Sequence, residues 1–132
     1  LKSILDKRSL NDRVRFIGPI PNKNLPMFLN TGDLFVNMGH TGSLDKANLE
    51  AMACGLPVLT CNEAYENIFG EHKTLLMYPK EDSRNLAEKI EYFMNTREDE
   101  RLKIGQDLRA IVVSGHTLES LIDKITAVLM PV

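Results

Sequence analysis

A single carboxylate, Glu50, stands among small and apolar residues in the segment 49–60. Residues 51–53 can pack closely on a sheet, whereas a buried carboxylate needs a partner. Gly55 predicts the end of a short helix, because a residue without Cβ turns freely there, and Pro57 begins an extended segment. A carboxylate on such a helix, at the end of a parallel sheet, can accept hydrogen bonds from ligand hydroxyls. The alternative is a partly buried carboxylate tied to backbone amides.

The segment before this helix, residues 38–44, has the composition of an anion-binding loop. Gly39 and Gly42 allow close backbone approach, and Thr41 and Ser43 add hydroxyls. A helix N-terminus follows at once, with free N–H groups and the positive end of its dipole. The pattern predicts a phosphate site, while glycine-rich turns between a strand and a helix also occur without a ligand.

Other side chains near this loop allow both a functional and a structural interpretation. His40 either donates to a phosphate or sugar oxygen or simply faces solvent. Asp45 either takes part in binding or only caps the helix, and Lys46 either neutralises a diphosphate or is a surface lysine. His72 and His116 are predicted to be ordinary surface residues. Three scattered histidines without an acidic cluster argue against a metal site.

Composition narrows the class of protein. The 132 residues fit one domain, 1–132, with 43% hydrophobic and 26% charged residues. A net charge of −2 and 6% aromatic residues argue against a nucleic-acid partner, and no apolar run approaches the roughly 20 residues of a membrane span. Cys54 and Cys61 are predicted to be reduced structural thiols, which favours a cytoplasmic location. The chain begins at Leu1 without a signal peptide, and we interpret it as a piece of a longer protein.

Short apolar segments alternate with helices through the first two thirds of the chain. Four strands are predicted, at residues 14–17, 34–37, 58–60 and 74–78. Helices are predicted at residues 1–10, from about 25 to a stop at Gly32 with Asn22 or Asn24 as cap, at 45–53 and at 63–69. This alternation predicts an α/β fold with a doubly wound parallel sheet. Since ligands of such sheets bind at the carboxyl ends of the strands, loops 18–22, 38–44 and 61–66 form the candidate site.

The last third is predicted to form three helices, because apolar residues recur there at three- and four-residue spacing. Ser83 is predicted to cap the first helix. The second is expected from Arg97 to Val113, with a break at Gly115, and Thr117 is predicted to cap the third.

Three blocks, spread over nearly the whole chain from Val14 to about Leu129, resemble a known family. They are residues 14–20, residues 25–37, and residues 49–58, which read Leu-Glu-Ala-Met-Ala-Cys-Gly-Leu-Pro-Val. These blocks resemble the nucleotide-sugar-binding C-terminal domain of family 4 glycosyltransferases with the GT-B fold, in which this half is Rossmann-like. The three trailing helices fit the same family.

The resemblance implies retaining transfer of a hexosyl group from a UDP-sugar or GDP-sugar to an acceptor hydroxyl, without a cofactor. The family's signature is a Glu, seven residues and a second Glu that binds the ribose hydroxyls, and Glu50 matches the second Glu. A carboxylate can accept from both hydroxyls of a cis-diol, which agrees with this role. The resemblance assigns the other donor contacts as follows: Gly42, Ser43, Leu44, Asp45 and Lys46 to the sugar and diphosphate, His40 and Thr41 beside them, and Ile20 and Asn22 to the base.

Two departures from the family pattern affect the expected activity. Gly42 stands where the first Glu of the signature belongs, so sugar selection must depend on other groups, such as Asp45 or the backbone amides of the loop. The family also has two further strands, with an Arg and a Lys for the diphosphate, and an N-terminal acceptor domain. The 132-residue chain alone is therefore expected to be catalytically silent, and its parent protein to be a transferase.

The expected partners are a nucleotide sugar, the protein's own N-terminal domain and, for the parent, a lipid-linked acceptor or a membrane surface. In the family, the segments 14–17 and 34–37 would flank the two absent strands. Without those strands, the two segments must pair directly or leave an exposed apolar edge that pairs with a second copy of the chain. Self-association is therefore expected. Two other functions remain open: a nucleotide- or sugar-binding module without catalysis, which Gly42 favours, and a structural doubly wound interaction domain.

Overall fold

The computed structural model describes residues 2–129, and its regular elements are mostly helical. Seven α-helices and two β-strands occur in these residues. The order is α1 (Lys2–Lys7), α2 (Leu25–Leu29), β1 (Phe35–Asn37), α3 (Lys46–Ala53), β2 (Val58–Thr60), α4 (Lys73–Leu76), α5 (Ser83–Asn95), α6 (Glu98–Gly115) and α7 (Leu118–Leu129). Single 3-10 turns lie at Asn22–Asn24, Glu63–Tyr65 and Gly70–His72.

The sheet is a parallel pair. Phe35 faces Val58, and Asn37 faces Thr60 at the carboxyl ends of the two strands. All three residues of β2 are buried, whereas Val36 at the centre of β1 is 37% exposed. Thr60 of β2 also forms a parallel bridge to Met77, so β2 lies inside and β1 forms an edge of the sheet within residues 2–129.

Two of the four predicted strands, those at residues 14–17 and 74–78, are not formed as predicted. Residues 14–17 are not assigned to a strand, and Val14, Phe16 and Ile17 are exposed. The sheet described in residues 2–129 consists of β1 and β2. The direct pairing of segments 14–17 and 34–37 as neighbouring strands is therefore not seen in the described residues.

The fourth predicted strand is replaced by a helical turn. Residues 73–76 form α4, which continues from the 3-10 turn before it, and only Met77 makes a parallel bridge, to Thr60. Lys89 stabilises this turn, because its Nζ donates to the carbonyl oxygens of Thr74 (2.6 Å) and Leu75 (3.1 Å). The fold is thus mixed α/β with a short parallel sheet and long C-terminal helices, and the full doubly wound sheet is not formed.

Helix α3, which carries Glu50, packs against α6 at unusually close range. Gly55, at φ +78°, ends the turn after α3, as predicted, and a Cβ at Gly105 of α6 would lie 1.8 Å from the Gly55 oxygen. The Arg109 guanidinium donates to the carbonyl oxygen of Ala53. These contacts hold the C-terminal end of α3. The core around it is made by fully buried side chains, among them Met52, Val58, Leu59, Tyr65, Phe69, Leu76 and Leu108.

Local predictions differ from the structure mainly at element ends. Asp82, not Ser83, caps α5, because its Oδ1 accepts from Asn85 N at 2.9 Å. The predicted helix 63–69 shortens to a 3-10 turn, and the side chains of Asn22 and Asn24 make no capping bond.

Other local predictions are confirmed. Pro26 lies in the first turn of α2. The Thr117 cap of α7 is present, since its Oγ1 accepts from Ser120 N at 3.2 Å. The last three residues and Leu1 of the predicted domain lie outside the described residues.

Candidate functional site

Glu50 lies on the second turn of α3 and is held there by the buried residues that follow it. Ala51 and Met52 are fully buried against the sheet, while the Glu50 side chain keeps 32% of its surface exposed. Its Oε1 lies 3.3 Å from Lys46 Nζ, one helical turn earlier, and the Lys46 side chain is 78% exposed. Because an exposed pair of this kind contributes little stability, the carboxylate is available to another hydrogen-bond donor.

Two polar side chains at the carboxyl ends of the strands connect the loop 38–45 to the sheet. Asn62, after β2, donates from Nδ2 to Ser43 O (2.7 Å) and to Asp45 Oδ2 (3.0 Å). Asn37, at the end of β1, accepts from Gly39 N at 2.6 Å through its Oδ1. The loop is therefore fixed near both of its ends by side chains that come from the two paired strands.

Asp45 holds the N-cap position of α3 but does not cap it with its side chain. Its backbone is extended, its side chain makes no capping bond, and Oδ2 instead accepts from Asn62 and, at 3.5 Å, from Asn37 Nδ2. Of the two interpretations of Asp45, capping by the carboxylate is therefore excluded. The carboxylate orders the loop.

Two tyrosine hydroxyls complete this network from the core side. Tyr65 donates to Asp45 O at 2.6 Å, and Tyr78 donates to Asn37 O at 3.0 Å. Burial, and secondarily the Asp45 carboxylate, raises the pKa of Tyr65 to about 12. Burial first, and then Cys61, raises the pKa of Tyr78. Both hydroxyls therefore stay protonated and act as donors at neutral pH.

The tip of the loop is open to solvent. His40, Thr41, Gly42, Ser43 and Leu44 are all exposed. The hydroxyls of Thr41 and Ser43 lie 3.0 Å apart, and His40 Nδ1 lies 3.4 Å from Met38 O. Gly42 adopts φ +75° with open space around it, a backbone conformation that a residue with a Cβ takes only with strain.

The two residues predicted to contact the base lie on a different segment. Ile20 is half-buried and Asn22 is exposed, at the start of a 3-10 turn. Among the hydrogen bonds of residues 2–129, none joins either residue to the loop 38–45 or to Glu50. Their role as base contacts stays a prediction.

The sequence interpretation missed the residues that hold the loop in place, namely Asn37, Asn62, Tyr65 and Tyr78. The available signal was a polar residue near the carboxyl end of each strand, with Asn37 as the last residue of β1 and Asn62 two residues after β2. It also missed that His72 is mostly buried, with Nε2 3.0 Å from Asp107 Oδ2 and 3.9 Å from Glu71 Oε1. The absence of a metal site stays a prediction.

A small cavity of about 220 Å³ lies beside the loop at the carboxyl end of the sheet. Met38, His40, Cys61 and Tyr78 line it on the loop side, and Asp82 and Leu86 on the side of α5. Glu50 lies outside this cavity. The candidate site is therefore an open surface formed by the loop and α3.

Comparisons with known proteins establish the family. The family described as glycosyl transferase-like matches residues 6–127, so this chain belongs to it, and the resemblance deduced from the sequence is confirmed. One subunit of the phosphatidylinositol N-acetylglucosaminyltransferase of Homo sapiens is 25% identical over 125 residues, which are 94% of this chain and 25% of that protein. The Arabidopsis thaliana protein of the same name is 39% identical over 56 residues, 42% of this chain and 12% of that protein.

The chain thus spans a quarter or less of the length of these two relatives. No solved structure matches it. Among residues 2–129, no helix combines the length and the apolar character that crossing a bilayer requires.

Proposed function

We propose that this chain is the donor-binding portion of a retaining glycosyltransferase, and that Glu50 binds the ribose of a nucleoside-diphosphate sugar. The position of Glu50 carries the proposal. It is a carboxylate on α3 with about a third of its surface exposed, beside an anchored glycine-containing loop at the carboxyl ends of parallel strands. Family membership supports the reaction class.

The remaining donor contacts are proposed from the same geometry. The exposed backbone and hydroxyls of residues 41–43 face solvent beside α3, where a diphosphate and sugar can meet them. Lys46, which already pairs with Glu50, supplies a positive charge for the diphosphate. Ile20 and Asn22 are proposed to contact the base.

The relatives indicate which sugar to examine first. Their name states transfer of N-acetylglucosamine to phosphatidylinositol. We therefore propose N-acetylglucosamine as the donor sugar and a lipid-linked hydroxyl as the acceptor of the complete protein, reached at the membrane surface from the cytoplasmic side. The acceptor would be held by the protein's own N-terminal domain.

Calorimetric titration of the chain with UDP, GDP and their N-acetylglucosamine conjugates measures donor binding. Glu50→Gln keeps the size of the side chain and removes the charge, and it should weaken binding by about 1.5–3 kcal/mol, as for hydrogen bonds to a charged group. Glu88→Gln is the matched control, because Glu88 forms an exposed i,i+4 pair with Arg84 at the same distance of 3.3 Å. Equal affinity in the Glu50→Gln and Glu88→Gln variants would contradict the ribose role.

A second function, nucleotide-sugar binding without transfer, is favoured by Gly42. The family's first Glu belongs at this position, and the observed φ of +75° disfavours any side chain there. Incubating the complete protein with the conjugate that binds and with phosphatidylinositol distinguishes the two. Release of UDP or GDP together with a glycosylated lipid supports the transferase, and donor binding without turnover supports the silent module.

A further inference from the structure

We propose that Asn62 is a positioning residue that presets the shape of the loop 38–45 for the diphosphate of the donor. This inference rests on the proposed function, because it assigns the loop to donor binding. It concerns a residue that lies in the predicted candidate loop 61–66 but was not singled out there, and it attributes the geometry of the loop 38–45 to one buried side chain.

Asn62 is completely buried, and each of its polar atoms is used. Nδ2 donates to Ser43 O and to Asp45 Oδ2, at 2.7 Å and 3.0 Å. Oδ1 accepts from Ala64 N at 3.1 Å, and the Asn62 backbone N–H donates to Thr60 Oγ1 at 3.2 Å. The side chain is therefore fixed by the end of β2 and transmits that position to the loop.

Asn37 holds the other end of the loop from the neighbouring strand. Its Oδ1 accepts from Gly39 N at 2.6 Å, and its Nδ2 donates to Asn48 Oδ1 at 2.8 Å on α3. The two asparagines meet at Asp45 Oδ2. The exposed residues 40–42 therefore lie between two segments that Asn37 and Asn62 hold in place. The loop is already ordered before a ligand binds, so binding does not incur the entropy cost of ordering it.

The variant Asn62→Asp tests whether Asn62 positions the loop for the ligand or contributes only to the stability of the fold. Aspartate keeps the size of the side chain and the acceptor for Ala64 N, but it loses the donor to Ser43 O and places a second carboxylate beside Asp45. Asn95→Asp is the matched control, since Asn95 Nδ2 also donates to a backbone carbonyl, Glu91 O, on the distant helix α5.

Nuclear magnetic resonance titrations should compare the diphosphate that binds, UDP or GDP, with its nucleoside. Asn62→Asp is expected to weaken diphosphate binding at least about fivefold, because it removes both hydrogen bonds that Nδ2 donates, to Ser43 O and to Asp45 Oδ2. Nucleoside binding, which depends on Glu50 and the base contacts, should stay within twofold of the unsubstituted chain. The inference would be overturned if Asn62→Asp lowered the affinity for the diphosphate and for the nucleoside equally, or if it lowered neither affinity.

Hydrogen exchange of the Gly39 amide, which donates to Asn37 Oδ1, provides a readout that does not require a ligand. This amide should exchange at least fivefold faster in Asn62→Asp, where the loop loses its other anchor, and its exchange rate should not change in Asn95→Asp. If neither UDP nor GDP binds the unsubstituted chain, the proposed function fails. If hydrogen exchange in Asn62→Asp equals that of the unsubstituted chain, the positioning role of Asn62 is overturned independently of ligand binding. Should Asn62→Asp fail to fold, Tyr65→Phe removes one hydroxyl from the same network and is expected to show the same selective loss.

Discussion

The buried side chain of Tyr65 couples the candidate site to the stability of the core. The rings of Tyr65 and Phe69 lie 5.5 Å apart between centroids and are fully buried, while the Tyr65 hydroxyl reaches the backbone of Asp45. Because a buried hydroxyl without a partner is costly, the ring position and the start of α3 are fixed together. The same side chain therefore serves the core and the geometry of the loop.

Tyr65→Phe is expected to lower the free energy of unfolding at pH 7 by about 1 kcal/mol, the typical contribution of one hydrogen bond. Burial holds the pKa of Tyr65 at about 12 in the folded chain, above its ordinary value of 10.0. Between these values the unfolded state loses its proton first, so the unsubstituted chain loses stability as pH rises through this range. The Tyr65→Phe variant has no hydroxyl at this position to titrate, so it does not show this decrease in the free energy of unfolding.

Urea denaturation at pH 7 and at intervals between pH 10 and 12 measures the effect. The difference in the free energy of unfolding between the two chains should narrow as pH rises and then change sign, because a pKa shift of this size is worth more than about 1 kcal/mol. Tyr92→Phe serves as the control, because its hydroxyl makes only a 3.3 Å contact with Glu100 on the exposed surface. A gap that stays constant through this range would show that Tyr65 titrates in the folded chain as it does in the unfolded one.

The packing of α6 on the turn after α3 decides where Glu50 lies. Gly105 lets the backbone of α6 approach the Gly55 carbonyl, and no side chain could stand between them. The helix is fixed further by Ile104 and Leu108, which are buried in the core. Any displacement of α6 would therefore shift α3 and its carboxylate.

Gly105→Ala is expected to destabilise the chain by about 3 kcal/mol or more, because overpacking against backbone cannot be relieved by a side-chain rotation. Gly115→Ala in the same helix meets nothing within 4 Å and should be neutral or stabilising by up to about 1 kcal/mol, the helix-propensity gain. Thermal unfolding of both variants measures the difference. Similar melting temperatures would show that α6 can move away from the turn.

The sequence could predict those elements whose physical cause is local. The helix around Glu50, its stop at Gly55 and the buried strand β2 follow from spacing, a glycine at positive φ and a short apolar run. The segments 14–17 and 74–78 have equally apolar sequences, but a strand depends on a distant partner that composition does not reveal. The same limit applied to the site, because the roles of Asn37 and Asn62 arise only when β1 and β2 pair.

At the scale of the molecule, the described residues 2–129 expose apolar surface beside β1 and along α7. The outer edge of β1 borders a groove of about 520 Å³ lined in part by Leu34, Val36 and Phe93. On α7 the apolar residues Leu118, Leu121, Ile122 and Ile125 are each about half exposed or more. Exposed apolar surface of this extent marks contact sites, and the chain spans a quarter or less of its two relatives.

Since the sheet described in residues 2–129 has only two strands, we propose that copies of this chain associate through the edge of β1. An open strand offers unpaired N–H and C=O groups to a second chain, and Val36 at its centre is 37% exposed. Light scattering should show an average mass that rises with concentration. Val36→Lys places a charge on the edge and should shift the mass toward that of the monomer, whereas Val113→Lys, at a site 56% exposed on α6, should not. A monomeric mass at every concentration would refute edge pairing. If Val36→Lys and Val113→Lys lower the average mass equally, association would be due to general apolar contact and not to the edge of β1.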